Sequence, residues 1–288
     1  MKDNLLHCPF AKWHVVALLL LMLLFMPLRA ATVQHLTMPC TLLQGISERE
    51  YVVCLPDGYN PQAERPYPVL YLLHGGGGSC DEWEVQCRLS EAVDSLTRAG
   101  ALGDGVVVIC AEGNKNNMMY FDVPWWTYET YFFDELIPYM ERTYRIRTDK
   151  AGRAIAGFSM GGGGATVYGV HHPDKFAFVY SISGYQRRQP LEFLRNDPSA
   201  EWRQTAIEDN NPIPRILDGT DAEVEAWRQV EWNVAVGDQD FTLEANMDLV
   251  KALRARGIRP HMTVTAGDHN SYFVRPHMIR ALQKAARL

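Results

Sequence analysis

The chain has 288 residues, 47% hydrophobic and 22% charged, with a formal net charge of −6. That is the composition of an ordinary globular protein, and the length admits one large domain or two small ones. The negative balance argues against nucleic acid as a partner, because phosphate binding needs a basic face.

At the N-terminus Lys2 and Lys12 precede an apolar run from Val15 to Met26, and Pro27-Leu28-Arg29-Ala30-Ala31 follows. This is the pattern of a secretory signal over residues 1–30, cut after Ala30. The run falls short of the roughly 20 residues a membrane span needs. No stable span is therefore expected after cleavage, and the mature protein is expected in the periplasm or outside the cell. The rival is an uncleaved anchor. Cys8 precedes the apolar run, so it does not read as a lipoprotein cysteine.

Export changes how the remaining cysteines read. They are Cys40, Cys54, Cys80, Cys87 and Cys110, an odd number that leaves at least one thiol free. Cys110, inside the apolar run Val106–Ala111, reads as a buried core thiol. Cys40 and Cys54 flank a predicted hairpin turn around Gly45, which leaves a bridge open there. The pairing of Cys40, Cys54, Cys80 and Cys87 is otherwise undetermined. No Cys-x-x-Cys and no His/Cys cluster at zinc spacing occurs, so no metal is expected.

Past residue 31 two strands of mixed polarity lead to Tyr51–Leu55. Short apolar runs at Val69–Leu73, Val106–Ala111, Ala154–Gly157, Phe176–Ser181, Asn233–Val236 and Met262–Ala266 read as further strands. Helical faces lie between them: Leu89, Ala92, Val93 and Leu96; then Phe132, Phe133, Leu136, Ile137 and Met140; then Met247, Val250 and Leu253. Alternating strands and helices imply βαβ units and a mostly parallel sheet. Residues 185–232 break this rhythm, being polar and rich in Pro, Asn and Asp. With no linker in evidence, residues 31–288 read as one α/β domain carrying an insertion.

Residues 157–161, Gly-Phe-Ser-Met-Gly, follow a strand and open a helix. This is the context of a nucleophile elbow, in which a sharp strand-to-helix turn exposes the serine. It explains the glycines: a Cβ on Gly157 or Gly161 would clash across the tight turn, and Gly162–Gly164 would let the first helical turn pack closely on neighbouring strands. The turn also sets Ser159 at a helix N-terminus, where the dipole favours negative charge. A nucleophilic serine needs a base, an orienting acid and an oxyanion hole. His269 lies in the loop Ala266–Ser271 beyond the last strand, where a base would project over the sheet's carboxyl edge. The other histidines are placed differently: His171 and His172 end the elbow helix, His261 starts a strand and His277 lies in the last helix. The acid is expected after Asn233–Val236, in Gly237-Asp238-Gln239-Asp240. The run His74-Gly75-Gly76-Gly77-Gly78 after Val69–Leu73 supplies candidate oxyanion donors. It is not a phosphate loop, because G-x-x-x-x-G-K-[ST] is absent.

The segments "YLLHGGGGSCDEW", "AIAGFSMGGGGA", "PDKFAFVYSISG", "VGDQD" and "AGDHN" resemble, in that order, the esterase D and feruloyl esterase-like branch of the α/β-hydrolases. The branch includes the feruloyl and acetylxylan esterases of carbohydrate esterase family one, S-formylglutathione hydrolases and mycolyltransferases. The resemblance covers nearly all of residues 40–288. It implies an α/β-hydrolase fold, a triad of Ser159, Asp240 and His269, and oxyanion donors on the backbone of Gly76 and Met160. No cofactor is implied. One departure is that Asp268 precedes His269 where the branch often has Gly-His followed by an aromatic residue. The implied substrate is a carbohydrate ester, feruloyl ahead of acetyl, or another small-molecule ester. Met118, Met119, Trp125 and Trp126 would line the acyl or sugar site beyond the strand ends, or else would simply pack the next helix. Rival readings are a mycolyltransferase-like acyltransferase using the same triad, and a non-catalytic carbohydrate-binding protein on the same scaffold. A formylglutathione hydrolase-like esterase is disfavoured by the export signal, because that substrate is cytosolic.

Overall fold

Runs of apolar residues without alternation become the interior of a sheet covered on both faces. The computed structural model, which describes residues 30–113, 119–189 and 195–288, shows this arrangement. Strands β1 (Thr32–Pro39) and β2 (Glu48–Leu55) form an antiparallel hairpin, and β2 pairs antiparallel with β4 (Val107–Ala111). The rest of the eight-stranded sheet is parallel. Its order is β1-β2-β4-β3-β7-β8-β9-β10, with β3 at Val69–Leu73, β7 at Arg153–Phe158, β8 at Phe178–Ile182, β9 at Glu231–Gly237 and β10 at His261–Thr265. Two-residue strands β5 (Asp122–Val123) and β6 (Trp126–Thr127) make a separate hairpin.

Every residue of β3, β4 and β8 is buried. Each buried Val, Leu or Ile contributes about 1.5–3 kcal/mol of transfer free energy, so the centre of the sheet anchors the site above it. Alternate side chains feed two apolar layers. One contains Leu70, Leu72, Val108 and Ala156, packed against α2 (Leu89–Arg98), which follows the one-turn helix α1 (Glu82–Val85), and against α10 (Ser271–Ala285). The other contains Tyr71, Ile109 and Ile155, packed against the aromatic helix α3 (Tyr128–Tyr131), the elbow helix α5 (Met160–His171) and α9 (Leu243–Ala255). Between α3 and α4 (Ile137–Thr143) the backbone widens into one π turn, Phe132–Leu136.

The excursion expected over residues 185–232 is real but shorter. It holds α6 (Ala200–Asp209), α7 (Pro212–Asp218) and α8 (Asp221–Arg228). Tyr185 is buried beside the elbow, its N–H donating to the Ser159 carbonyl at 2.9 Å, and Trp232 lies inside β9. The bridge left open between Cys40 and Cys54 does not form. Cys40 sits in one apolar layer and Cys54 in the other, because the pleat of β2 turns Cys54 to the opposite face. All five described cysteines are buried free thiols. Among the described residues no helix is long and apolar enough to cross a membrane. The expected signal, residues 1–30, falls almost wholly outside the described residues.

Candidate active site

The chain leaves β7 through a turn in which Ser159 adopts φ 54 and ψ −115 and caps α5. A positive φ at a non-glycine residue costs of order 1–3 kcal/mol and persists only where the surroundings over-determine it. Here they do. The Ser159 N–H donates to the Ile182 carbonyl at 3.0 Å, and its own carbonyl accepts from Gly163 and Tyr185. A Cβ on Gly157 would run into the Gly161 carbonyl, and one on Gly161 into the carbonyls of Leu73 and His74. The glycines thus let α5 start against bare backbone, at the cost of helix propensity.

Ser159, His269 and Asp240 come from three separate strand ends and form one row. Ser159 Oγ lies 2.8 Å from His269 Nε2, and His269 Nδ1 lies 2.9 Å from both carboxylate oxygens of Asp240. An ionised carboxylate only accepts hydrogen bonds, so Nδ1 carries the imidazole hydrogen and Nε2 is left to accept from the serine. Asp240 is buried. Burial alone would raise its carboxyl, but the hydrogen bond and charge of His269 outweigh this and hold it below the usual range. The Thr242 N–H and hydroxyl each donate to its Oδ1 at 2.8 Å. The rings of Phe158 and Phe241 flank the imidazole, with centroids 4.7 and 4.3 Å away.

The glycine loop after β3 is pinned from behind. Gly113 N–H donates to His74 Nε2 at 2.9 Å, so the buried ring is neutral there and its Nδ1–H donates to the Gly75 carbonyl at 2.8 Å. Because the peptide is planar and trans, fixing that carbonyl aims the Gly76 N–H in the opposite direction. Gly75 N–H is already committed to Glu82 Oε2 at 3.1 Å. The Gly76 N–H makes no hydrogen bond to any described residue. Met160, the first residue of α5, has no intrahelical acceptor for its N–H. The two residues are neighbours: a Cβ on Gly76 would stand 3.9 Å from Met160 Cβ.

The aromatic candidates separate. Trp125 is 53% exposed, edge-on to Trp202 of the excursion with centroids 6.3 Å apart. Trp126, expected at a substrate wall, is instead a core residue. It is buried, stacked on Tyr128, and its indole N–H donates to the Met119 carbonyl at 3.0 Å. Met119 is buried with it, and Met118 lies outside the described residues. The hairpin geometry turns the two adjacent tryptophans to opposite sides. His277 is buried against Tyr180, and His171 and His172 both hold Glu129. Sequence reasoning missed Glu82, Thr242, Phe158 and Phe241. Phe158 and Phe241 adjoin expected site residues, and Thr242 closes an Asx turn two residues after Asp240, which was the available signal; Glu82 acts through a contact that no local pattern encodes.

The family model described as "Putative esterase" matches residues 46–285. A protein named endo-1,4-beta-xylanase/feruloyl esterase from Xylanibacter ruminicola is 33% identical over 138 residues, covering 46% of this chain and 19% of that protein. An esterase of Mycobacterium tuberculosis is 36% identical over 138 residues, covering 46% of this chain and 28% of its own length. The matches therefore span less than a third of either curated relative. A solved ferulic acid esterase superposes with a TM-score of 0.81 at 30% identity, covering 90% of this chain and 99% of that one.

Proposed function

The chain belongs to the esterase family, on the feruloyl esterase-like branch of the α/β-hydrolases, and we propose that it is an exported serine carboxylic-ester hydrolase acting on acyl esters of plant cell-wall carbohydrate. The observation that carries this reading is the hydrogen-bonded row Ser159–His269–Asp240 on a strained elbow. His269 Nε2 takes the proton from Ser159 Oγ as the oxygen attacks the ester carbonyl. Asp240 holds the imidazole in that tautomer and stabilises the imidazolium. The Gly76 and Met160 N–H groups receive the oxyanion, aided by the N-terminus of α5. His269 then protonates the leaving alcohol, and water, activated by the same imidazole, releases the acid from the acyl-serine.

The names of the similar Xylanibacter protein and of the structural neighbour support a feruloyl ester as substrate. Trp125, exposed beside Trp202, supports it too, because an aromatic face suits both a phenyl ring and the C–H face of a sugar. The basic and apolar N-terminal pattern supports export.

The test compares methyl ferulate, 4-nitrophenyl acetate and acetylated xylan on the purified enzyme. We expect ferulate release, fluorophosphonate labelling of Ser159, and loss of turnover by roughly five to six orders of magnitude in Ser159→Ala. Acetyl release without ferulate release would remove the aromatic acyl group from the proposal. Acyl transfer to a sugar or lipid acceptor without hydrolysis would replace it with an acyltransferase.

A further inference from the structure

A second constellation lies outside the proposed triad. His35 on edge strand β1 meets Cys80 and Asp81, which follow the glycine loop, across 45 residues of sequence. His35 Nε2 is 3.8 Å from Cys80 Sγ, and His35 Nδ1 is 3.1 Å from Asp81 Oδ1. One donor atom from each of the three residues lies within 4.8 Å of the other two. Cys80 is buried, whereas the His35 and Asp81 side chains are 45% and 41% exposed, so the cluster opens to solvent on one side.

We propose that His35 and Cys80 bind a thiophilic divalent cation, zinc being the best match, with Asp81 orienting His35 from behind. The two contacts of the imidazole are what suggest this. A metal-binding histidine ordinarily gives its other N–H to a carboxylate, which fixes the ring and raises its basicity. Asp81 already takes that place on Nδ1, and Nε2 already faces the sulfur. A tetrahedral zinc with ordinary bond lengths sets its nitrogen and sulfur ligands about 3.5 Å apart, close to the 3.8 Å separation here. Thiolate with imidazole selects a zinc-like cation over magnesium or calcium.

The same three residues do not make a second nucleophile. Burial of Cys80, reinforced by the negative charge of Glu112, pushes its thiol well above the ordinary range, so the free thiolate is scarce. A dication reverses that balance. As the metal–sulfur bond forms, Cys80 gives its proton to solvent, and the Glu112 carboxylate beside the thiol offsets the remaining positive charge. Glu112 Oε2 also accepts the Cys80 N–H at 2.9 Å, which fixes the sulfur's position on the backbone. The expectation of no metal rested on local spacing, which cannot register a strand hairpin folding His35 onto a loop 45 residues away.

Cobalt(II) titration of the full chain tests the site. One equivalent should bind with a thiolate-to-cobalt charge-transfer band in the near ultraviolet, and zinc should displace it. Cys80→Ser should remove the band, and His35→Gln should weaken binding roughly 100-fold or more. Asp81→Asn should weaken it roughly 10–100-fold, the range for an orienting carboxylate, and Cys87→Ser should leave it unchanged. His35 is exposed on an edge strand, so His35→Gln preserves the fold, which circular dichroism checks. Absence of the band, or undiminished binding in His35→Gln, overturns the proposal.

Discussion

Asp238 and Asp240 are two residues apart, follow the same strand, and have the same ionisable group. Their surroundings divide them. Asp240 is buried with both oxygens on His269, whereas Asp238 is exposed and its Oδ1 accepts the Gly267 N–H at 3.0 Å. Asp240→Asn replaces an acceptor with an amide that turns the imidazole to the wrong tautomer. We expect kcat to fall by about 10^4-fold with KM little changed. Asp238→Asn keeps an oxygen for Gly267 and should stay within a few-fold of the parent enzyme. Steady-state kinetics on one ester substrate separate the two, and a reversed order would move the orienting role to Asp238. Spacing alone left both aspartates open and the resemblance named Asp240; burial and direction, which are not written locally in the chain, set it apart from Asp238.

At the scale of elements, β3, β4 and β8 were legible because they are buried on both faces and so read as unbroken apolar runs. The elbow was legible because backbone packed on backbone demands glycine. The aromatic segment after β4 was not. Trp125 and Trp126 are equal in composition, yet a two-residue hairpin sends one outward and the other into the core. Another unread contact is the clasp that joins two elements at the rear of the elbow helix. Glu129 Oε1 of α3 lies 2.8 Å from His171 Nδ1 and 2.9 Å from His172 Nε2, at the end of α5. Burial disfavours this carboxylate, but the hydrogen bonds and charges of the two histidines prevail and bring its pKa down to about 2. A carboxyl depressed on folding adds stability that is complete above its unfolded value and fades as pH falls through the folded one. The clasp should therefore contribute up to about 3 kcal/mol at neutral pH, lost between about pH 5 and pH 2. Denaturant unfolding across that window should show a shallower pH dependence in Glu129→Gln. An unchanged slope would mean that the clasp is not coupled to folding.

Taken whole, the molecule distributes its proposed catalytic groups unevenly over the sheet. Ser159 follows β7, whose neighbours β3 and β8 shield it from both sides, while His269 follows β10, which pairs only with β9 and is half open to solvent. The loop bearing His269 is tied to the end of β9 by Gln239 N–H to the Gly267 carbonyl and Gly267 N–H to Asp238 Oδ1, both at 3.0 Å. Proteins open piecewise, and peripheral strands open at lower free energy than central ones. The proposed general base thus sits at the sheet's margin and the proposed nucleophile at its centre. In rising urea, ester turnover should vanish before the tryptophan fluorescence transition, while amides of β10 exchange with deuterium ahead of those of β3 and β7. Coincident loss of activity, fluorescence and protection would mean that the margin and the centre yield together. Otherwise the enzyme's working tolerance is set by one five-residue strand, and reinforcing β10 would extend the range over which it functions without touching the nucleophile.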